Sequence, residues 1–129
     1  MHNIEEKIKQ QQYLLKEYDH KTFYKYYSFE KYKDNSPLEF LKLPKRKQKE
    51  LIEYCLKAFQ LQKTANNNWN SNSLKRLFEI DTPNGFLITN GQFKGAMLIS
   101  GFIPVNCYCA DWVYRISENS VGLIDRSKH

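Results

Sequence analysis

The sequence predicts an α+β protein: a helix-rich single domain with a small two-stranded β element. Three observations lead there. Apolar residues recur at helical spacing through the first half, and turn signals cut the second half into short pieces. Two of those pieces, Phe86-Leu87-Ile88 and Trp112-Val113-Tyr114-Arg115-Ile116-Ser117, are apolar or alternating in the manner of strands. The polar run from Thr64 to Asn72 divides a helical, aromatic- and lysine-rich region, residues 1–64, from a helix–strand–helix–strand module, residues 65–129.

Each element has its own signal. Ile4, Ile8, Gln11, Leu15 and Tyr18 stand at heptad spacing without Gly or Pro between them, which predicts a helix from Asn3 to about Tyr18, diluted by Gln10-Gln11-Gln12. Asp34-Asn35-Ser36-Pro37 predicts a turn, then a helix with Ser36 as N-cap and Pro37 in first position. Pro44 opens the strongest helix, expected to reach about Lys63. Its stripe is Ile52, Cys55, Leu56 and Phe59, extended by Leu51, with Lys45, Lys49, Glu53, Lys57 and Gln60 largely opposite. Ser73 is expected to cap a short helix, Leu74 to Ile80, and Asp81-Thr82-Pro83-Asn84-Gly85 a turn. Thr89 or Asn90 should cap a further helix, Gly91 to Ser100, with Phe93, Met97 and Leu98 inward and Gly101 left-handed just past its end. Pro104 blocks continuation, and the tail from Glu118 is weakly specified. Two short helices followed by a β element also read as a winged-helix-like C-terminal half, from which the strand between the helices departs.

The totals bound the function classes. The 129 residues are 41% hydrophobic with a mean hydropathy of −0.70, and no run approaches the roughly 18 apolar residues of a membrane helix. The opening Met-His-Asn-Ile-Glu-Glu lacks the apolar stretch of a secretory signal. Three cysteines, two of them the close pair Cys107 and Cys109, are read as thiols in a reducing compartment. The expectation is a cytoplasmic protein with no membrane partner. Richness in Lys, Asn, Ile and Tyr is what AT-rich coding favours, which points to a low-GC bacterium or its mobile elements.

The formal charge of +6 is concentrated. Residues 1–34 hold seven basic and six acidic side chains, residues 35–64 seven and three, and residues 65–129 six and five. The excess centres on Lys42 and Leu43-Pro44-Lys45-Arg46-Lys47-Gln48-Lys49. A helix dipole disfavours cations at its start by about 0.3–1 kcal/mol each, so Lys45, Arg46, Lys47 and Lys49 suggest an anion outside the helix, with a solvated lysine-rich helix end as the plain alternative. The second feature is the aromatic–lysine block, with Tyr24, Lys25, Tyr26, Tyr27, Lys31 and Tyr32 beside Phe23 and Phe29. Rings so dense cannot all face one small core. Exposed Tyr beside Lys makes a stacking platform for single strands, at about 1–3 kcal/mol per base. It serves equally as a protein hot spot, or as a packed helix with its hydroxyls in water.

Signals for chemistry are weaker. Cys107-x-Cys109 lacks the second ligand pair that a structural zinc needs, so no metal or cofactor is expected. His2, His20 and His129 carry no nucleophile signature, and Gly85, Gly91, Gly95 and Gly101 match no phosphate loop and are read as turns, a helix start and a helix end. A remote alternative is a metal-dependent nuclease, with Asp81 before a strand and Gln92-Phe93-Lys94 beyond it. Against it, Thr89-Asn90-Gly91 looks like a helix cap that would turn Lys94 away.

Residues 70–117, through Asn72-Ser73-Leu74-Lys75-Arg76-Leu77-Phe78-Glu79, Gly85-Phe86-Leu87-Ile88-Thr89-Asn90-Gly91-Gln92-Phe93-Lys94-Gly95-Ala96-Met97 and Trp112-Val113-Tyr114-Arg115-Ile116, resemble a module of small uncharacterised proteins from phages, plasmids and cassettes of low-GC bacteria. The resemblance implies a context of accessory replication, regulation or host-defence inhibition, and no residue roles. The resulting expectation is a non-enzymatic protein that binds nucleic acid, DNA or RNA with single strands favoured. The alternative is an inhibitor of a nucleic-acid-targeting system, an anti-CRISPR occupying a CRISPR effector nuclease.

Overall fold

In the computed structural model, residues 3–23, 32–81 and 85–127 are described. Among them the chain forms six α-helices: α1 (Ile4–Gln11), α2 (Tyr13–Phe23), α3 (Lys45–Ala58), α4 (Ser71–Glu79), α5 (Asn90–Ser100) and α6 (Val121–Ser127). Two 3-10 helices, Lys33–Asn35 and Pro37–Lys42, bridge α2 to α3.

Helix α5 is the axis of the core. Every residue from Phe93 to Ser100 is buried, and so is Gly91. Thr89 caps it, accepting from the Gln92 amide while the Gln92 side chain accepts from the Thr89 N–H, a reciprocal capping box. Gly101 ends it at φ 101°, in the left-handed region that glycine enters without penalty. One face of α5 meets backbone directly. A Cβ on Gly91 would stand 2.1 Å from the Ser36 carbonyl oxygen, and one on Gly95 would stand 2.5 Å from that of Pro37. Glycine four residues apart lets a helix and the Pro37–Lys42 turn approach more closely than any side chain permits. Gly91 stands in the first turn of the helix, as its spacing suggested, and it and Gly95 are also packing residues, a role their spacing did not show.

Around α5 lies one apolar cluster drawn from both ends of the chain, including Ile8, Leu15, Phe40, Ile52, Phe59, Leu77, Phe93, Trp112 and Leu123. Phe59 sits edge-on to both Phe93 and Phe102. On α3, Leu51, Ile52, Cys55 and Phe59 are buried as expected, whereas Leu56, at the edge of the stripe, is 39% exposed. The N-terminal heptad also faces inward, with Ile8 and Leu15 buried, but the helix breaks at Gln12, and α2 continues past Tyr18 to Phe23. The Ser36 hydroxyl accepts from the Leu38 N–H at the start of the second 3-10 helix, as the turn signal implied. α4 starts earlier than expected: Asn70 is the cap, and Ser73 closes the box from its third position. α6 forms in the tail where the sequence carried little signal.

The expected α+β class is overturned. No strand occurs among the described residues, only the isolated bridges Leu61↔Ile116 and Pro104↔Tyr114. The two-stranded element, the winged-helix-like half and the helix–strand–helix–strand reading of residues 65–129 are corrected accordingly. Trp112 to Ser117 is extended and alternates as expected, with Trp112, Tyr114 and Ile116 buried, but its partners are irregular. The carbonyls of Trp112, Tyr114 and Arg115 accept from Ser71, Asn66 and Gln62, and the Ser117 N–H donates to Gln60. The Asn66 side chain takes the Ile116 carbonyl. An asparagine-rich coil satisfies this backbone one group at a time and cannot lie flat as a ladder partner. The same contacts explain why α3 stops at Ala58 and not Lys63: Phe59 turns extended to enter the core, and Gln60 and Gln62 are committed to the 112–117 segment. Phe86-Leu87-Ile88 is not a strand either. Its Ile88 N–H donates to the Glu79 carboxylate on α4, and no second segment runs beside it in a ladder.

Phe59→Ala should destabilise the fold by about 3–5 kcal/mol, while Leu56→Ala costs about 1 kcal/mol or less. Gly91→Ala, whose new methyl meets rigid backbone, should cost about 1–3 kcal/mol. Urea unfolding of the three variants gives the ranking.

Candidate functional site

The basic start of α3 follows from local sequence. Pro44 supplies the N-cap position in extended conformation and makes no side-chain cap hydrogen bond, and the first turn contains no acidic residue. Gln48 is drawn inside, its amide donating to the Leu43 carbonyl at 2.9 Å, which locks the turn from Pro37–Lys42 onto α3. With Gln48 inward, helical geometry places Lys45, Arg46 and Lys49 on the outer surface. Lys45 and Arg46 are exposed and have no ion-pair partner among the described residues.

The five expected cations do not act together. Lys45, Arg46 and Lys49 line a groove of about 460 Å³ with Glu5, Glu50 and Glu53. Lys49 meets Glu5 of α1 at 3.5 Å. Lys42 is outside that lining and pairs with Glu39 at 2.7 Å, its side chain still 68% exposed. Lys47 lies elsewhere, its ammonium 4.9 Å from the centre of the Phe86 ring. The groove therefore carries three cations and three carboxylates, a mixed charge that a count over residues 35–64 concealed.

Of the aromatic–lysine block, Tyr24, Lys25, Tyr26, Tyr27 and Lys31 lie outside the described residues. Tyr32 is described, and it corrects the expectation. It is 2% exposed, with its hydroxyl on the Asp19 carboxylate and beside the Thr22 hydroxyl, each at 2.8 Å. Ser36 also donates to that carboxylate. Burial pushes the Tyr32 phenol upward, so it stays protonated. Placed thus, Tyr32 is a clamp between α2 and the 3-10 turns and offers no face for stacking.

Sequence reasoning passed over the strongest anomaly in the core. Lys94 is 1% exposed. Its ammonium donates to the Asn35 carbonyl at 3.2 Å and sits 4.8 Å from the centre of the Trp112 ring, against which Tyr18 packs edge-on. The adjacent Asn90 amide holds Asn35, the Ala110 carbonyl and the Asp111 carboxylate. Burial depresses the Lys94 amine to about 8, opposed by the negative charge of Asp111. The visible signal was a lysine inside an otherwise apolar helix, between Phe93 and Gly95. The nuclease-like pattern is not assembled: Gln92 is spent on its capping box, and Lys94 faces Asn35 and Trp112. No group of three or more His, Cys, Asp or Glu placed to hold a metal occurs among the described residues. Cys55 is buried, Cys109 exposed and Cys107 between the two, all as free thiols.

No family model, curated protein or solved structure matches the chain. Among the described residues, no helix is long and apolar enough to cross a membrane.

Because the folded Lys94 amine titrates near 8 and an unfolded lysine near 10.4, the unfolded state binds more protons between those values, and stability rises with pH across that window. Relative to Lys94→Met, the wild type should gain about 3 kcal/mol between pH 7.5 and 10.5. Urea unfolding of both proteins at the two pH values measures it, and a constant difference excludes a buried titrating amine.

Proposed function

We propose that the chain is a non-enzymatic binding protein that uses the basic start of α3 to hold a polyanion, with single-stranded nucleic acid as the favoured occupant. One observation carries this reading: Lys45 and Arg46 stand exposed on one helical turn without carboxylate partners among the described residues, where the dipole of their own helix disfavours them. Retaining two unneutralised cations in that position costs stability, and a phosphate chain would remove the cost. Lys42 and Lys49 flank them and can exchange Glu39 and Glu5 for phosphate. Lys47, stacked on Phe86, contributes little.

A second reading has its own support. The groove alternates cations with Glu5, Glu50 and Glu53, the mixed polar character of a protein–protein rim more than of a phosphate track. A protein inhibitor of a nucleic-acid-targeting nuclease would use such a surface.

Fluorescence anisotropy with a labelled 30-nucleotide single strand at several salt concentrations separates the two. Polyanion binding weakens with salt at about 0.7 log units per contacted phosphate, so replacing Lys45 and Arg46 by Ser should flatten the slope by about 1.4. Lys47→Ser should leave it nearly unchanged. No binding at low salt and micromolar protein would remove the nucleic-acid reading and leave the inhibitor.

A further inference from the structure

The groove that receives Lys45, Arg46 and Lys49 is lined on one side by a different helix, and that helix brings its own anion. The Glu5 carboxylate of α1 lies 3.5 Å from the Lys49 ammonium, with the two side chains 62% and 42% exposed. Glu50 and Glu53, the other carboxylates of the groove, are fixed to α3 beside the cations themselves. Glu5 differs in that its attachment is separable. Among the residues of α1, only Ile8 is buried, and Ile4 is partly buried against the core. Buried Ile8, partly buried Ile4 and a half-exposed ion pair hold the segment against the groove, a hold on the scale of a local opening and not of global unfolding.

Glu5 and an incoming phosphate demand the same donor, and Lys49 cannot serve both at full strength. We infer that Glu5 is an internal competitor for the anion, lowering its affinity and making α1 a built-in modulator of the groove. The inference rests on the polyanion reading. A phosphate that takes Lys49 must displace Glu5, so part of its binding energy goes into opening that pair. Removing the carboxylate charge relieves the competition. The pair is largely solvent-accessible, so the gain is about two- to fivefold in affinity, and it fades as salt screens both interactions.

The test is an anisotropy titration of a labelled 30-nucleotide oligothymidine at about 50 and 300 mM salt, the two sides of the range where the screening length becomes shorter than about 10 Å. Five proteins are compared: wild type, Glu5→Gln, Lys49→Met, the double variant, and Glu6→Gln. Glu6 stands on the same turn and outside the groove lining, so its substitution makes an equal change in net charge. The inference requires that Glu5→Gln tighten binding at low salt, that the effect shrink at high salt, that it vanish in the Lys49→Met background, and that Glu6→Gln fall short of it. Equal tightening by Glu6→Gln, or tightening that survives Lys49→Met, overturns it as a mere net-charge effect. Wild-type binding with no response to Glu5→Gln overturns the inference and leaves the polyanion reading standing. Binding by Glu5→Gln alone supports both. No binding by any of the five ends both together.

Discussion

Everything else in this fold depends on the close approach of α5 to the Ser36–Phe40 segment. Gly91 and Gly95 remove the two side chains that would hold the surfaces apart, so the backbone of one lies on the carbonyls of the other. That contact places Phe93, Met97 and Leu98 at the centre of the apolar cluster, where α3, α4 and the 112–117 segment can all reach them. It also sets the position of Asn35, so that Lys94 and Asn90 can hold it from α5. Because packing is tight and backbone cannot yield as a side chain can, this approach admits one register.

A buried ammonium is a costly way to hold a loop. Lys94 has one carbonyl and one aromatic face in place of water, and its depressed amine reports the deficit. The arrangement concentrates specificity where the core is otherwise featureless: an apolar residue at 94 would pack against Trp112 as well but would take the ammonium away from the Asn35 carbonyl. The exposed cations of α3 sit on a surface for which the core asks nothing. Gln48 and Leu51 fix the helix by its inner side, and Lys45 and Arg46 remain exposed on its outer side.

The sequence was most readable where one residue decides one backbone event. Ser36-Pro37, Thr89 and Gly101 all mark the ends that they were expected to mark, since caps and left-handed turns are local. The stripe on α3 was readable for the same reason, apart from Leu56 at its edge. Strands were misjudged because alternation records only which side is buried. Trp112, Tyr114 and Ile116 do alternate inward, but whether such a segment joins a sheet depends on what lies beside it, and here that is the coil from Gln60 to Ser71. The packing role of Gly91 and Gly95 was not legible because the segment they pack on is more than fifty residues away in the chain. At the basic start, the cations were visible from composition. Glu5 was not, since α1 meets α3 only through the fold, and Tyr32 gave no hint that Asp19 and Thr22 would claim its hydroxyl.

The separation of a fixed α5 scaffold from a responsive α3 surface is tested most directly by amide chemical-shift mapping of the full chain during titration with an unlabelled single strand. The shifts should move at residues 42–50 and at the start of α1, and they should stay still along α5 and at Trp112. Shifts concentrated around Lys94, Asp111 and Trp112, or spread evenly through the core, would contradict the separation and move the binding site to the buried lysine.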